Sequence, residues 1–101
     1  MNPSAPIAAL CLLACAGMAP AADPQLGRDL AATCAACHGT GGRAVVDGGI
    51  VGLAGMDREV SLRKLAAFRG GEKSATIMHQ IAKGFTDAQL DLIAAYFAGQ
   101  K

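Results

Sequence analysis

The sequence predicts an all-α domain, and three observations carry that prediction. Leu90, Ile93, Ala94 and Phe97 recur at i, i+3, i+4 and i+7, the period of a helix with one buried face. Thr86, with Gln89 three residues on, supplies a capping box in front of them. The segment from Asp57 to Arg69 carries a second apolar set, Val60, Leu62, Leu65, Ala66 and Phe68, closed by Gly70-Gly71, since glycine readily takes the left-handed conformation past a helix end. No stretch alternates apolar and polar residues as a half-buried strand does, and there is no repeat or low-complexity tract.

The other elements follow in order. Asp23-Pro24 reads as a helix start, a capping carboxylate before a proline at the first helical position. Leu26, Leu30 and Thr33 then mark one face of a helix running into Cys34. From Gly39 to Gly55 the chain holds seven glycines and little periodicity, so a loop wrapped over some object is expected. A short helical turn covers Ile77 to Lys83 and ends at Gly84.

At 101 residues the chain is one small domain. Residues 1–21 are expected to be a cleaved signal peptide. Ile7 to Gly17 is apolar, every charged side chain lies from Asp23 onward, and Ala19-Pro20-Ala21 supplies the small residues of a cleavage site. The mature domain is then residues 22–101, exported to the periplasm. The leader is too short and too alanine-rich for a membrane span, which needs about 20 strongly apolar residues. No Lys or Arg precedes the apolar run, unlike most such leaders. Leu12-Leu13-Ala14-Cys15 is the alternative, a lipoprotein-like signal that would anchor the chain through Cys15. Nine basic and eight acidic residues leave the charge near neutral, which gives no case for nucleic acid or an anionic membrane surface as partner.

Chemistry concentrates in Cys34-Ala35-Ala36-Cys37-His38, the Cys-x-x-Cys-His attachment motif for a c-type haem. Each thiol adds across one vinyl group of the porphyrin, and His38 falls under the iron, where an imidazole nitrogen can ligate it. A covalent haem would also enlarge a core that is marginal at this length. Two other uses of the cysteines compete. Structural zinc needs four Cys or His ligands, and Cys34, Cys37, His38 and His79 make up that number, but adjacent Cys37 and His38 converge poorly on a tetrahedral ion. A thioredoxin-like dithiol needs a strand before the motif, where this sequence predicts a helix.

Three residues offer a second axial ligand: Met56, Met78 and His79. Met78, 40 residues beyond His38, is preferred, because the intervening chain can pass round the ring and a thioether opposite imidazole raises the potential as an electron carrier requires. Ile77, Met78, Ile81 and Ala82 also share helical spacing, so packing is the plain alternative for Met78, and His79 is the next candidate ligand. Lys73, Lys83 and Arg43 are candidates for a docking ring at an exposed haem edge, or simply solvated surface. Arg63, Lys64 and Arg69 read as the polar face of the second helix. Tyr96 and Phe97 read as packing aromatics.

Taken together, these segments resemble a class I cytochrome c over Gly27 to Phe97. Within that class the chain looks most like the cytochrome subunit of flavocytochrome c sulfide dehydrogenase and related small bacterial cytochromes. The residues that carry this are Cys34 to Thr40, Leu53-Ala54-Gly55, Phe68-Arg69-Gly70-Gly71-Glu72, Ala75-Thr76-Ile77-Met78, Ile81 to Asp87 and the terminal Ala95-Tyr96-Phe97. The resemblance implies about four helices and a Gly-rich loop around one covalent haem c, thioethers from Cys34 and Cys37, and an axial pair of His38 and Met78. It implies a first helix crossing the last, with Gly27 allowing close approach near Tyr96. One residue departs from the family pattern: Val51 stands where a proline carbonyl usually accepts a hydrogen bond from the proximal imidazole. The expected function is periplasmic electron transfer rather than catalysis, with redox proteins as partners and a flavoprotein sulfide dehydrogenase subunit as the donor. The alternative is a freely diffusing mono-haem carrier serving a terminal oxidase or reductase, with a haem sensor ranked below both.

Overall fold

Among the described residues the last helix is also the centre of the fold. In the computed structural model, which describes Pro3 and residues 24–101, α4 spans Asp87–Ala98. Thr86 Oγ1 accepts from the Gln89 N–H while Gln89 Oε1 accepts from the Thr86 N–H, the capping box read from sequence. Leu90, Ile93, Ala94 and Phe97 are all buried. The signal cleavage site, Cys15 and Asp23 lie outside the described residues.

The first helix, α1, spans Pro24–His38 and packs most extensively on α4. It runs past Cys34 and carries the whole haem motif. Its buried stripe shares only Leu30 with the predicted one. Leu26 and Thr33 are exposed, whereas Gly27 and Ala31 are buried and Leu30 and Cys34 half-buried, again at i, i+3, i+4 and i+7. Small residues carry this stripe because α4 comes so near. A Cβ on Gly27 would sit 3.1 Å from the Leu92 carbonyl oxygen and 3.7 Å from the Tyr96 Cβ. The expected crossing of first and last helices at Gly27 is present.

The second helix, α2, spans Arg58–Arg69. Asp57 serves as its cap, with its carboxylate accepting from the Val60 N–H at 3.1 Å, so the helix proper starts one residue later than expected. It packs on α4 and on α3, the six-residue helix Met78–Lys83, whose Ala82 is wholly buried. Arg58 pairs with Asp91 and Arg69 with Asp87, each tying α2 to α4. Among the described residues there is no strand, and no helix is long and apolar enough to cross a membrane.

The glycine-rich stretch is a loop, as expected, with one 3-10 turn at Thr40–Gly42. It is pinned to the end of α4. The Gly42 carbonyl accepts from the Leu53 N–H at 2.7 Å and the Ala54 N–H at 3.0 Å, and the Gly55 N–H donates to the Phe97 carbonyl at 2.8 Å. Gly42 has φ +78, and a Cβ there would lie 2.7 Å from Phe97 Cδ1, so only glycine fits between loop and helix.

A candidate haem site at the end of the first helix

Cys34, Cys37 and His38 occupy the last turn of α1 at i, i+3 and i+4, and so share one face of the helix. The helix ends at His38 because Gly39 takes φ +93, a turn that needs glycine since a Cβ there would fall 1.7 Å from the Arg43 carbonyl oxygen. Chain reversal immediately after His38 brings the glycine-rich loop back over the imidazole. His38 Nδ1 lies 2.6 Å from the carbonyl oxygen of Val51. A carbonyl only accepts, so the proton is on Nδ1, and Nε2 keeps its lone pair for a metal.

That contact answers the question raised by the missing proline. The acceptor is backbone, so Val51 supplies it as the usual residue would, and its own side chain stays exposed. Val45, Val46 and Ile50 on the same loop are exposed too. The two thiols differ. Cys34 packs at the edge of the cluster formed by Ala31, Leu90, Ile93 and Phe97, and burial pushes its thiol pKa up, whereas Cys37 is exposed. Neither is in a disulfide.

The remaining candidates are spread over other elements. Met78 is the first residue of α3 and half-buried, followed by half-buried His79. Met56 is half-buried at the end of the loop, its N–H donating to the Leu53 carbonyl at 3.1 Å. Among the described residues no three His, Cys, Asp or Glu side chains gather to hold a metal ion, which counts against zinc on Cys34, Cys37, His38 and His79. Arg43 is committed elsewhere, its Nε–H donating to the Lys101 carbonyl at 2.6 Å. Lys73 lies over the Phe68 ring at 5.0 Å, and Lys83 is exposed at the end of α3. Arg69 does more than line a polar face: besides pairing with Asp87, its Nη2 donates to the Phe85 carbonyl at 2.8 Å. No pattern in the sequence announces that bond.

The family model for cytochrome c matches residues 24–101, the described chain from the start of α1. The chain belongs to the cytochrome c family. Its cofactor is accordingly haem c, covalently attached, and it is an electron-transfer protein rather than an enzyme. The donor set suits that group: two unpaired thiols, and an imidazole with one nitrogen tied down and the other free to ligate. Half-buried Leu53, Leu62, Leu65 and Phe85, from the loop, α2 and the turn before α4, add apolar surface around the core.

This cytochrome is 35% identical over 85 residues to the cytochrome subunit of sulfide dehydrogenase from Chlorobaculum tepidum, covering 77% of this chain and 76% of that one. It is 34% identical over 96 residues to a thiosulfate dehydrogenase electron acceptor from Stutzerimonas stutzeri, covering 89% of this chain but 44% of the relative. It is 34% identical over 86 residues to cytochrome c-554(548) from Halomonas halodenitrificans, covering 80% of this chain and 100% of that one. The aligned chain thus spans less than half the length of the thiosulfate-linked relative and all of the Halomonas cytochrome.

Proposed function

We propose that this cytochrome c carries electrons in the periplasm, with thioethers from Cys34 and Cys37, His38 as proximal ligand and Met78 as distal ligand. We further propose that its electrons come from a flavoprotein that dehydrogenates sulfide. The observation that carries the ligand reading is the His38–Val51 bond, which places a proton on Nδ1 and so favours Nε2 as the ligating nitrogen. The haem, when bound, supplies a one-electron couple; the chain supplies everything else. Cys34 and Cys37 fasten the group at the end of α1. His38, held through Nδ1, presents Nε2, and Met78 offers a soft thioether that favours the reduced iron.

The donor rests on the match to the sulfide dehydrogenase subunit, with the thiosulfate-linked relative in support, since both serve oxidation of reduced sulfur compounds. The freely diffusing carrier stays as a second reading because the Halomonas cytochrome is matched along its whole length. Co-purification with a flavin-containing subunit, and reduction of the ferric protein by sulfide only in its presence, is the expected result. A strictly monomeric protein reduced no faster with the flavoprotein than without it assigns the free carrier. For the axial pair, Met78→Ala should abolish the far-red sulfur-to-iron band of the ferric protein, while Met56→Ala and His79→Ala retain it. The export reading predicts a mature N-terminus near Ala22 by mass spectrometry, and a lipidated Cys15 would replace it.

A further inference from the structure

Met78 is presented by a helix that can do little to place itself. At six residues α3 is far below the length at which a helix is stable alone. Its cap, Ile77, offers no side-chain bond, and the backbone N–H groups from Ser74 to Ile77 make no hydrogen bond. Two features restrain it. One is its packing on α2, with Ala82 wholly buried near its C-terminal end. The other lies just past that end, where Gly84 closes the helix by donating to the Ile81 carbonyl at 3.0 Å and Phe85 leads into the Thr86 cap of α4.

Arg69 grips this turn. Its Nη2 donates to the Phe85 carbonyl at 2.8 Å while Nη1 pairs with Asp87, the first residue of α4. The two partners are unequal. Asp87 is 91% exposed, so that pair contributes little. The carbonyl bond is partly buried and made by a charged donor, which places it among the stronger hydrogen bonds. A planar fork bonded at two points also fixes direction, which a point charge does not.

We infer that Arg69 is a positioning residue for the distal ligand: by locking the turn between α3 and α4 it sets where α3 lies, and with it the sulfur of Met78. The inference rests on the proposal that Met78 ligates the iron. The hydrogen bond and ion pair of Arg69 reach the Phe85 turn and Asp87 rather than Met78, so it acts through that turn and the helical segment before it. Arg58 provides the internal control, because it ties α2 to α4 through Asp91 at the opposite end of α2 and does not touch the turn.

The test titrates ferric holoprotein with imidazole, which competes with a distal thioether, and follows the far-red band. Arg69→Gln is expected to raise the apparent imidazole affinity about tenfold, the scale of one charge-assisted hydrogen bond. Arg69→Lys, which keeps the charge but not the fork, is expected to give about threefold, and it carries the test if Arg69→Gln does not accumulate as holoprotein. Arg58→Gln and Asp87→Asn should stay within about twofold of the parent. Unchanged affinity in the Arg69 variants overturns the inference, and so does an equal rise in Arg58→Gln, which would report general loosening. Met78→Ala separates the two levels. A band that survives it refutes the ligand reading, whereas a band lost there but indifferent to Arg69 refutes only the positioning role.

Discussion

The two candidate axial ligands are held in opposite ways. His38 ends a 15-residue helix that is packed along the core, is followed by a glycine no other residue could replace, and has its ring tied to the Val51 carbonyl at 2.6 Å. Met78 starts a six-residue helix with no capping side chain, reached through a segment whose amides are unpaired. Rigidity on the His38 side comes from local chain geometry and backbone bonds. Order on the Met78 side is borrowed from neighbours, namely the packing of α3 on α2, the burial of Ala82 and the Arg69 bond to Phe85. A protein built this way should lose its distal ligand well before its proximal one, because local opening draws on the least supported segments.

That asymmetry can be attacked from either side. The largest effect is expected from Gly39→Ala, which puts a methyl 1.7 Å from the Arg43 carbonyl at a positive φ. It should cost about 3 kcal/mol or more and displace the loop from His38, seen as a collapse of holoprotein yield and thermal midpoint. Ala82→Leu attacks the other side by overfilling the only wholly buried position of α3, at about 2 kcal/mol. The far-red band should fade at lower denaturant than the far-ultraviolet helical signal; coincident transitions would mean that the two sides are equally firm. Thr86→Ala removes the capping box beside the Arg69 turn and should cost about 1 kcal/mol of stability. Smallest is Val51→Pro, which keeps the carbonyl acceptor and sacrifices no hydrogen bond, since the Val51 N–H makes none. A stabilisation of about 0.5 kcal/mol through a stiffer unfolded chain is expected in chemical denaturation, and a loss would mean that the loop needs a backbone angle proline cannot adopt.

What could be read in the sequence follows the same division. The α4 core of Leu90, Ile93, Ala94 and Phe97 and the Thr86–Gln89 cap were legible because both are local patterns of fixed spacing. The haem motif was legible because its chemistry requires adjacency. The α1 stripe was read only in part: Leu30 lies in it, whereas the helical pattern missed Gly27 and Ala31, which are buried for their smallness and carry no strong apolar signal. Bonds that close across the chain left no pattern: Arg69 meets a carbonyl, which every residue owns, and Arg43 meets another at Lys101. Val51 departs from the expected proline in its side chain but keeps the functional atom, which belongs to the backbone.

The close passage of Gly27 over Leu92 has a kinetic side. α1 and α4 come from opposite ends of the described chain, so their contact is among the most non-local the domain makes, and folding rates fall as such contacts dominate. The entropy of closing so long a loop grows only logarithmically with its length, so the span itself is a modest thermodynamic burden. Its effect falls on timing. Replacing Gly27 with a larger residue should slow the search for the native helix crossing when that crossing forms in the transition state, and otherwise should mainly hasten unfolding.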